Sequence, residues 1–212
     1  MNNTNDKLQS LGIIPVIVIE DANKAVQLAK ALSEGGLPCA EVTFRTEAAK
    51  EAIAAMNKNC PEMIVGAGTV ITTKQVDDAL EAGAKFIVSP CFDAEVVDYC
   101  IAKGVPVFPG VVTPSEVNAA LKKGLRILKF FPAGDFGGVK TVKALSAPFG
   151  SVSFIPTGGV NLENLESYLS CDKVFACGGT WLATKKLIAD NDFDQIKQNV
   201  VDAVKIVKSI RG

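Results

Sequence analysis

Short apolar runs rich in β-branched and aromatic residues alternate with longer amphipathic stretches along the whole chain. This alternation is typical of repeated βα units, which build a parallel sheet covered by helices. The pattern predicts eight strands, at Ile13–Ile19, Cys39–Phe44, Ile64–Thr69, Phe86–Ser89, Val107–Pro109, Ile127–Phe131, Ser153–Thr157 and Val174–Cys177. A helix is expected after each strand, so the chain is predicted to be an α/β protein.

Helix boundaries carry their own signals. Asp21 and Asp93 precede amphipathic stretches as N-caps would, and Pro114 is typical of a first helical position. Glycine, which tolerates the left-handed conformation that ends a helix, follows several of these stretches. These glycines are Gly35, Gly36, Gly83, Gly104 and Gly124.

Eight βα units without a Pro-, Gly- or Ser-rich linker predict one domain over residues 1–212, a single TIM (β/α)8 barrel. An extra N-terminal helix is expected near Asp6–Leu11, and a trailing helix near Asp192–Ile210. An open, doubly wound sheet is the alternative, because periodicity reports βα units and not closure of the sheet.

Composition narrows the function. The net charge of −1 provides no field that would concentrate nucleic acid or an anionic membrane, so a small-molecule partner is expected. The chain has no histidine, the commonest general base and metal ligand, and no carboxylate cluster replaces it. Any catalysis is therefore expected to use Lys, Glu, Asp, Tyr, Cys or backbone amides without a metal, and the lysine chemistry expected below requires no organic cofactor either. The six cysteines form no CxxC pair, and no apolar leader or membrane-length apolar run is present, so a cytoplasmic location is expected.

In barrels of this kind the carboxyl ends of the strands carry the active site. Lys129 is the only lysine inside an apolar strand run, ILKFF. Burial of an ammonium favours the neutral amine, the form that attacks a carbonyl carbon. The alternative is a lysine that reaches solvent or pairs with a carboxylate.

Three polar residues share strand parity in the CAEVTFRT segment, namely Glu41, Thr43 and Arg45. Glu41 is a candidate for proton transfer, and the fork of Arg45 suits a substrate carboxylate. The alternative is that Glu41 and Arg45 pair with each other or with neighbours. Thr69, at the end of the next strand, could add a hydroxyl to the carboxylate site.

The last two predicted strands each end in paired glycines, Gly158 and Gly159 and then Gly178 and Gly179. Amides exposed by glycine at a helix N-terminus bind phosphate, and barrels often use these two loops for that purpose. Two successive pairs indicate a phosphorylated ligand, with Thr180 adding a hydroxyl. The alternative is that both are tight βα turns only.

The segments EVTFRT, GAGTV, SPCF, FPGVVTPSE, KFFPA, PTGGV and GGTW occur in order on successive predicted strands. Together they resemble the family of 2-keto-3-deoxy-6-phosphogluconate (KDPG) aldolases, which also act on 4-hydroxy-2-oxoglutarate (KHG). The resemblance implies a class I aldolase that reversibly cleaves KDPG to pyruvate and glyceraldehyde 3-phosphate, and KHG to pyruvate and glyoxylate. It also implies a place in the Entner–Doudoroff pathway and a homotrimer.

The resemblance assigns roles to residues. Lys129 would form the Schiff base with the C2 carbonyl, Glu41 would act as acid and base, and Arg45 and Thr69 would bind the pyruvate carboxylate. The remaining matched residues would shape the pocket, select the sugar epimer and hold the phosphate, and they are Pro90, Phe131, Thr157, Gly158, Gly159, Gly178, Gly179 and Thr180. The family usually has serine where this chain has Thr180, which leaves the preference for a phosphorylated substrate open.

Three other functions remain. A sister aldolase for 2-keto-3-deoxy-6-phosphogalactonate would share the lysine. A phosphosugar epimerase or isomerase would need carboxylates and no imine, and would leave Lys129 unexplained. A non-catalytic barrel that binds a phosphorylated metabolite would leave both Glu41 and Lys129 without a role.

Overall fold

The computed structural model describes residues 3–212. Residues 1 and 2 of the predicted domain lie outside the described residues. The strands are β1 (Ile13–Ile17), β2 (Cys39–Thr43), β3 (Ile64–Gly68), β4 (Ile87–Val88), β5 (Val107–Phe108), β6 (Gly110–Val111), β7 (Ile127–Phe130), β8 (Ser153–Pro156) and β9 (Cys177–Gly179). The helices are α1 (Asn3–Leu11), α2 (Ala25–Gly35), α3 (Ala49–Asn59), α4 (Thr73–Glu81), α5 (Ala94–Ala102), α6 (Pro114–Lys122), α7 (Gly138–Ser146), α8 (Leu165–Leu169), α9 (Lys185–Ala189) and α10 (Phe193–Arg211).

The strands form two parallel sheets. Six strands make the larger sheet in the order β5-β4-β3-β2-β1-β9, and three make a small sheet in the order β6-β7-β8. Every predicted strand overlaps an observed one, although the last begins at Cys177 and not at Val174. The α/β class and the extra helices at both ends were predicted from the hydrophobic pattern.

The prediction of a closed (β/α)8 barrel is wrong, because the hydrogen-bonded ladder is interrupted in two places. Pro109, which has no N–H to donate, separates β5 from β6. Between β8 and β9 only isolated bridges remain, Phe154 with Val174 and Thr157 with Gly178. The architecture is a six-stranded parallel half-barrel sheet with a small three-stranded sheet beside it.

The two sheets share an interior. Ile14 of β1 and Phe108 of β5 pack in one buried cluster with Ile155 of β8, so this cluster joins the larger sheet to the smaller one. A second, larger cluster lies between strands and helices and includes Leu28 of α2 and Val200 of α10. Burial of these apolar surfaces is the main stabilising contribution to such a fold.

Most of the local boundary signals are confirmed, except that Asp21 caps a short 3-10 helix (Ala22–Lys24) ahead of α2 and Gly35 is the last residue of α2. Asp93 accepts hydrogen bonds from the amides of Glu95 and Val96, and Pro114 is the first residue of α6. Gly36, Gly83, Gly104 and Gly124 all have positive φ angles where helices end. None of the helices within residues 3–212 combines the length and apolar character that crossing a bilayer requires.

Candidate active site

A buried ion pair joins the two sheets through the middle of β2 and the next-to-last residue of β7. Lys129 Nζ on β7 lies 3.3 Å from Glu41 Oε1 on β2, and each residue is 2 % exposed. Among residues 4–212, Lys129 is the only buried lysine and Glu41 is the only buried carboxylate. The structure therefore brings together the two predicted catalytic residues, which lie 88 positions apart.

The surroundings of the ammonium are apolar. Its Nζ lies 5.1 Å from the ring centroid of Phe131, which is consistent with a cation–π contact. Gly110 is the register partner of Lys129 on the adjacent strand and has no side chain of its own; the Pro90 carbonyl occupies the space where its Cβ would lie. A charged pair with so little water around it is costly to bury, which makes a chemical role a better explanation than stability.

Arg45 and Thr69 also meet. Arg45 lies in the exposed segment after β2, and its Nε donates a hydrogen bond to Thr69 Oγ1 at 3.0 Å. This bond uses one of the five donors of the guanidinium. Glu41 does not pair with Arg45. It pairs with Lys129, so the structure has the pairing of Glu41 with a neighbour, and of Lys129 with a carboxylate, that the sequence left open as alternatives. Thr43, the third residue of that parity, donates its hydroxyl to the Ile17 carbonyl at 2.8 Å.

The backbone of Thr69 is strained. Its φ of 55° lies in the left-handed region, which a β-branched residue rarely adopts. Such strain is found mainly at ligand and active sites, where the surrounding structure holds it. In this conformation the Thr69 hydroxyl accepts the hydrogen bond from Arg45.

Three glycines on the inner face leave room for site residues. A side chain at Gly68 would overlap Glu41, one at Gly110 would overlap the backbone of Pro90, and one at Gly178 would overlap Thr157. Sequence reasoning missed Gly68 and Gly110. A glycine within a strand is a known sign of close approach, and this was the signal that could have found them.

The two glycine pairs lie next to each other, as expected for a shared loop site. Thr157, the residue before Gly158, bridges to Gly178 on β9. Gly158 and Gly159 have φ angles of 90° and 75°, conformations that favour glycine. The glycine pairs were expected at helix N-termini, but they are not directly followed by helices. Residues 160–164 separate the first pair from α8, and residues 180–184 separate the second pair from α9.

The remaining predicted residues differ in exposure. Thr157 is buried, and its hydroxyl donates to the Ile155 carbonyl at 3.3 Å. Pro90 and Phe131 are half-buried at the ends of β4 and β7, and Thr180 is exposed after β9. No group of three or more side chains suited to a metal ion occurs in the described part of the chain.

A buried lysine–carboxylate pair inside a parallel α/β fold is the arrangement expected of an enzyme that forms imines with carbonyl substrates. The family model described as KDPG and KHG aldolase matches residues 4–199. The chain belongs to the KDPG and KHG aldolase family, whose members are carbon–carbon lyases. The recognition made from the sequence motifs is confirmed.

The relatives agree with this assignment. The chain is 44 % identical over 202 residues to a 2-dehydro-3-deoxy-phosphogluconate aldolase of Treponema pallidum, covering 95 % of this chain and 96 % of the relative. It resembles the crystal structure of a Legionella pneumophila KDPG aldolase, with pyruvate captured as a covalent carbinolamine, at a TM-score of 0.91 and 36 % identity, covering 95 % and 98 %. A native KDPGal structure matches with a TM-score of 0.85 and 27 % identity, covering 94 % and 96 %.

Proposed function

We propose that this chain is a class I aldolase that reversibly cleaves KDPG to pyruvate and glyceraldehyde 3-phosphate. The observation that carries the proposal is the buried Lys129 Nζ, 3.3 Å from the carboxylate of Glu41. An epimerase would leave Lys129 unexplained, and a binding protein would leave both residues without a role. Its burial cost is explained when the lysine is the nucleophile and the carboxylate moves protons.

The chemistry follows from these two groups. Glu41 takes a proton from the Lys129 ammonium, and the resulting amine adds to the C2 carbonyl to form a carbinolamine. Glu41 then returns that proton to the carbinolamine hydroxyl, which leaves as water, so that a protonated imine and the Glu41 carboxylate remain. Glu41 removes the proton of the C4 hydroxyl while the C3–C4 bonding electrons move toward the imine nitrogen, releasing the aldehyde and leaving an enamine. The protonated Glu41 returns a proton to C3, and water then hydrolyses the imine to pyruvate and free Lys129.

Two further groups hold the ends of the substrate. Arg45 and Thr69, joined by their hydrogen bond, are proposed to bind the carboxylate next to the imine. The adjacent glycine pairs are proposed to bind the phosphate through backbone amides, with Thr180 beside them. Pro90, Phe131 and Thr157 would shape the pocket between these ends. The same imine chemistry on KHG, which lacks the phosphate, would give pyruvate and glyoxylate.

The test is a cleavage assay in which lactate dehydrogenase consumes the released pyruvate. KDPG, its galactonate epimer and KHG are compared at equal concentration. We expect the highest kcat/KM with KDPG and no turnover by Lys129→Ala. A higher value with the galactonate epimer would make the chain the sister aldolase, and absence of cleavage of all three by the folded protein would overturn the proposal.

We further propose that residues 1–212 form one domain, that three copies assemble, and that the protein works in the cytoplasm. One apolar cluster runs from Ile13 to Val207, which supports a single domain. The trimer rests on the family resemblance. All six cysteines are free thiols, which supports a reducing compartment. Light scattering after size exclusion would give the mass of the assembly, and a monomer would contradict the trimer.

A further inference from the structure

We propose that Gly68 is a positioning residue for the reaction, because its missing side chain is the space from which the Glu41 carboxylate reaches Lys129. The inference rests on the acid/base role proposed above for Glu41. It concerns the one inward-facing glycine whose added side chain would meet a catalytic group directly.

The geometry is specific to one oxygen. A Cβ at position 68 would lie 2.6 Å from Cγ and 2.8 Å from Cδ of Glu41, and closest of all to Oε1. Real Cβ atoms essentially never approach other atoms so closely. Oε1 is also the oxygen that accepts the hydrogen bond from Lys129 Nζ. A methyl group at position 68 therefore has to displace the atom that contacts the lysine.

The backbone does not require glycine at this position. Gly68 ends β3 and is not among the glycines with positive φ. Its carbonyl accepts from the Phe44 amide at 2.7 Å, as any residue in a parallel strand could. Glycine is therefore needed at position 68 because it has no side chain, and not because of its conformational freedom.

The packing around Glu41 leaves its carboxylate no alternative position. It is 2 % exposed, and the next inward position down the strand, Gly66, is filled by the ring of Phe86. The two inward glycines of β3 are thus occupied by side chains from the neighbouring strands, Glu41 above and Phe86 below. Close packing of this kind leaves little freedom for a displaced carboxylate.

The consequence for Gly68→Ala is a misplaced carboxylate beside an intact lysine. The imine should still form and be trapped, while proton transfer to and from the substrate C3 becomes slow. Displacements of about 1 Å in a catalytic group can lower rates on the order of a hundredfold. Thr69 follows Gly68 in the chain, and damage to its contact with Arg45 would instead raise the KM for pyruvate.

The experiment measures exchange of the pyruvate methyl protons with deuterium by NMR, on the full-length protein. We expect Gly68→Ala to lower kcat for exchange roughly tenfold to a hundredfold, to leave the KM for pyruvate nearly unchanged, and to retain trapping by borohydride. Gly66→Ala is the matched control. It also adds one methyl group to the inner face of β3, but against Phe86, so it should lower Tm without lowering the exchange rate of the folded protein.

A double-mutant cycle separates positioning from general damage. In the Glu41→Gln background, Gly68→Ala should cause no comparable further loss of exchange. An equal loss in both backgrounds would overturn the inference. If Glu41→Gln alone exchanges pyruvate protons at the wild-type rate, the proposed role of Glu41 is wrong and this inference falls with it. If Glu41→Gln exchanges slowly but Gly68→Ala exchanges at the wild-type rate, only this inference is overturned.

Folding supplies a second test if Gly68→Ala does not fold. Glu41→Ala removes the atoms that the new methyl group would meet, so Gly68→Ala combined with Glu41→Ala should fold again. Circular dichroism and thermal melting would show the recovery. If Glu41→Ala alone is folded, a double variant that stays unfolded would place the conflict elsewhere and contradict the inference.

Discussion

At the scale of single residues, the site concentrates features that do not favour stability. Taking two charges out of water costs several kcal/mol per ion in real proteins, and a buried pair often does no better than apolar replacements. Lys129 and Glu41 are each only 2 % exposed, so this desolvation cost applies to both. Thr69 adds backbone strain a short distance along the inner face. The proposed chemistry at a carbonyl group would account for the pair.

The carboxylate contact can be tested at Arg45. Arg45→Ala should raise the KM for pyruvate in the exchange reaction roughly tenfold to a hundredfold, since hydrogen bonds to charged groups contribute about 1.5–3 kcal/mol. The KM for pyruvate of Arg45→Lys should lie between those of the wild type and Arg45→Ala, because lysine keeps the positive charge but lacks the paired donors of the guanidinium. Arg45 is exposed, so melting temperatures should barely change. An unchanged KM in Arg45→Ala would remove this residue from the site.

Lys129 could be found from the sequence because a lysine within an apolar run stands out. Glu41 could also be named as a candidate, but its pairing with Lys129 could not be predicted, since strand parity placed Glu41 and Arg45 on one side and left their partners open. The 88 positions between Glu41 and Lys129 are bridged only by the packing of two sheets across an interior. Gly68 was missed because a missing side chain gives a signal only when the neighbour that fills the space is known.

At the scale of elements, helix α6 shows how the strand ends are fixed. The Thr113 hydroxyl accepts from the Glu116 amide, and the Glu116 carboxylate accepts from the amides of Val112 and Thr113. This capping box starts the helix directly after β6, the strand that pairs with Lys129. Burial raises the pKa of Glu116, but these hydrogen bonds outweigh it and hold the pKa below 4.5.

Loss of the capping box should be measurable. Thr113→Ala is expected to lower the free energy of unfolding by about 1 kcal/mol, read by urea denaturation.

The contribution of Glu116 should depend on pH. Because the pKa of Glu116 is lower in the folded than in the unfolded protein, its carboxylate stabilises the fold fully above the unfolded-state pKa of 4.5, and this stabilisation is lost as the pH falls through the folded-state pKa. The stability gap between the wild type and Glu116→Gln should therefore narrow below pH 4.5. A gap that widens on acidification would contradict the assignment.

The strands and caps could be predicted from the sequence because both depend on local patterns. Closure of the sheet could not, because alternation reports which face is buried and not which neighbour a backbone group bonds. Pro109 lies within a run that looks like one strand, yet its missing N–H splits the ladder into β5 and β6. The short β6 falls in the segment after this proline and was not predicted.

At the scale of the whole molecule, the packed interior protects most of the thiols. Burial raises the pKa of Cys39, Cys100 and Cys177 to about 12. Cys91, next to Pro90, is the exposed one of the six cysteines. Its pKa is raised by burial of the sulfur, with further contributions from Asp93 and Glu116.

A thiol reagent at pH 8 should therefore modify one cysteine of the native protein, Cys91, and do so more slowly than a free thiol because its pKa is raised. The remaining five should react only after denaturation. Cys91→Ser is the control and should show no early phase. Several thiols that react together in the native protein would mean that the interior is open to solvent.

The central claim is that Lys129 is the nucleophile, and borohydride reduction of the protein mixed with pyruvate tests it most directly. Intact mass and peptide mapping should show one reduced pyruvate adduct, located on Lys129, and none in a folded Lys129→Ala variant. An adduct on another lysine, or none on the folded wild-type protein, would contradict the imine mechanism.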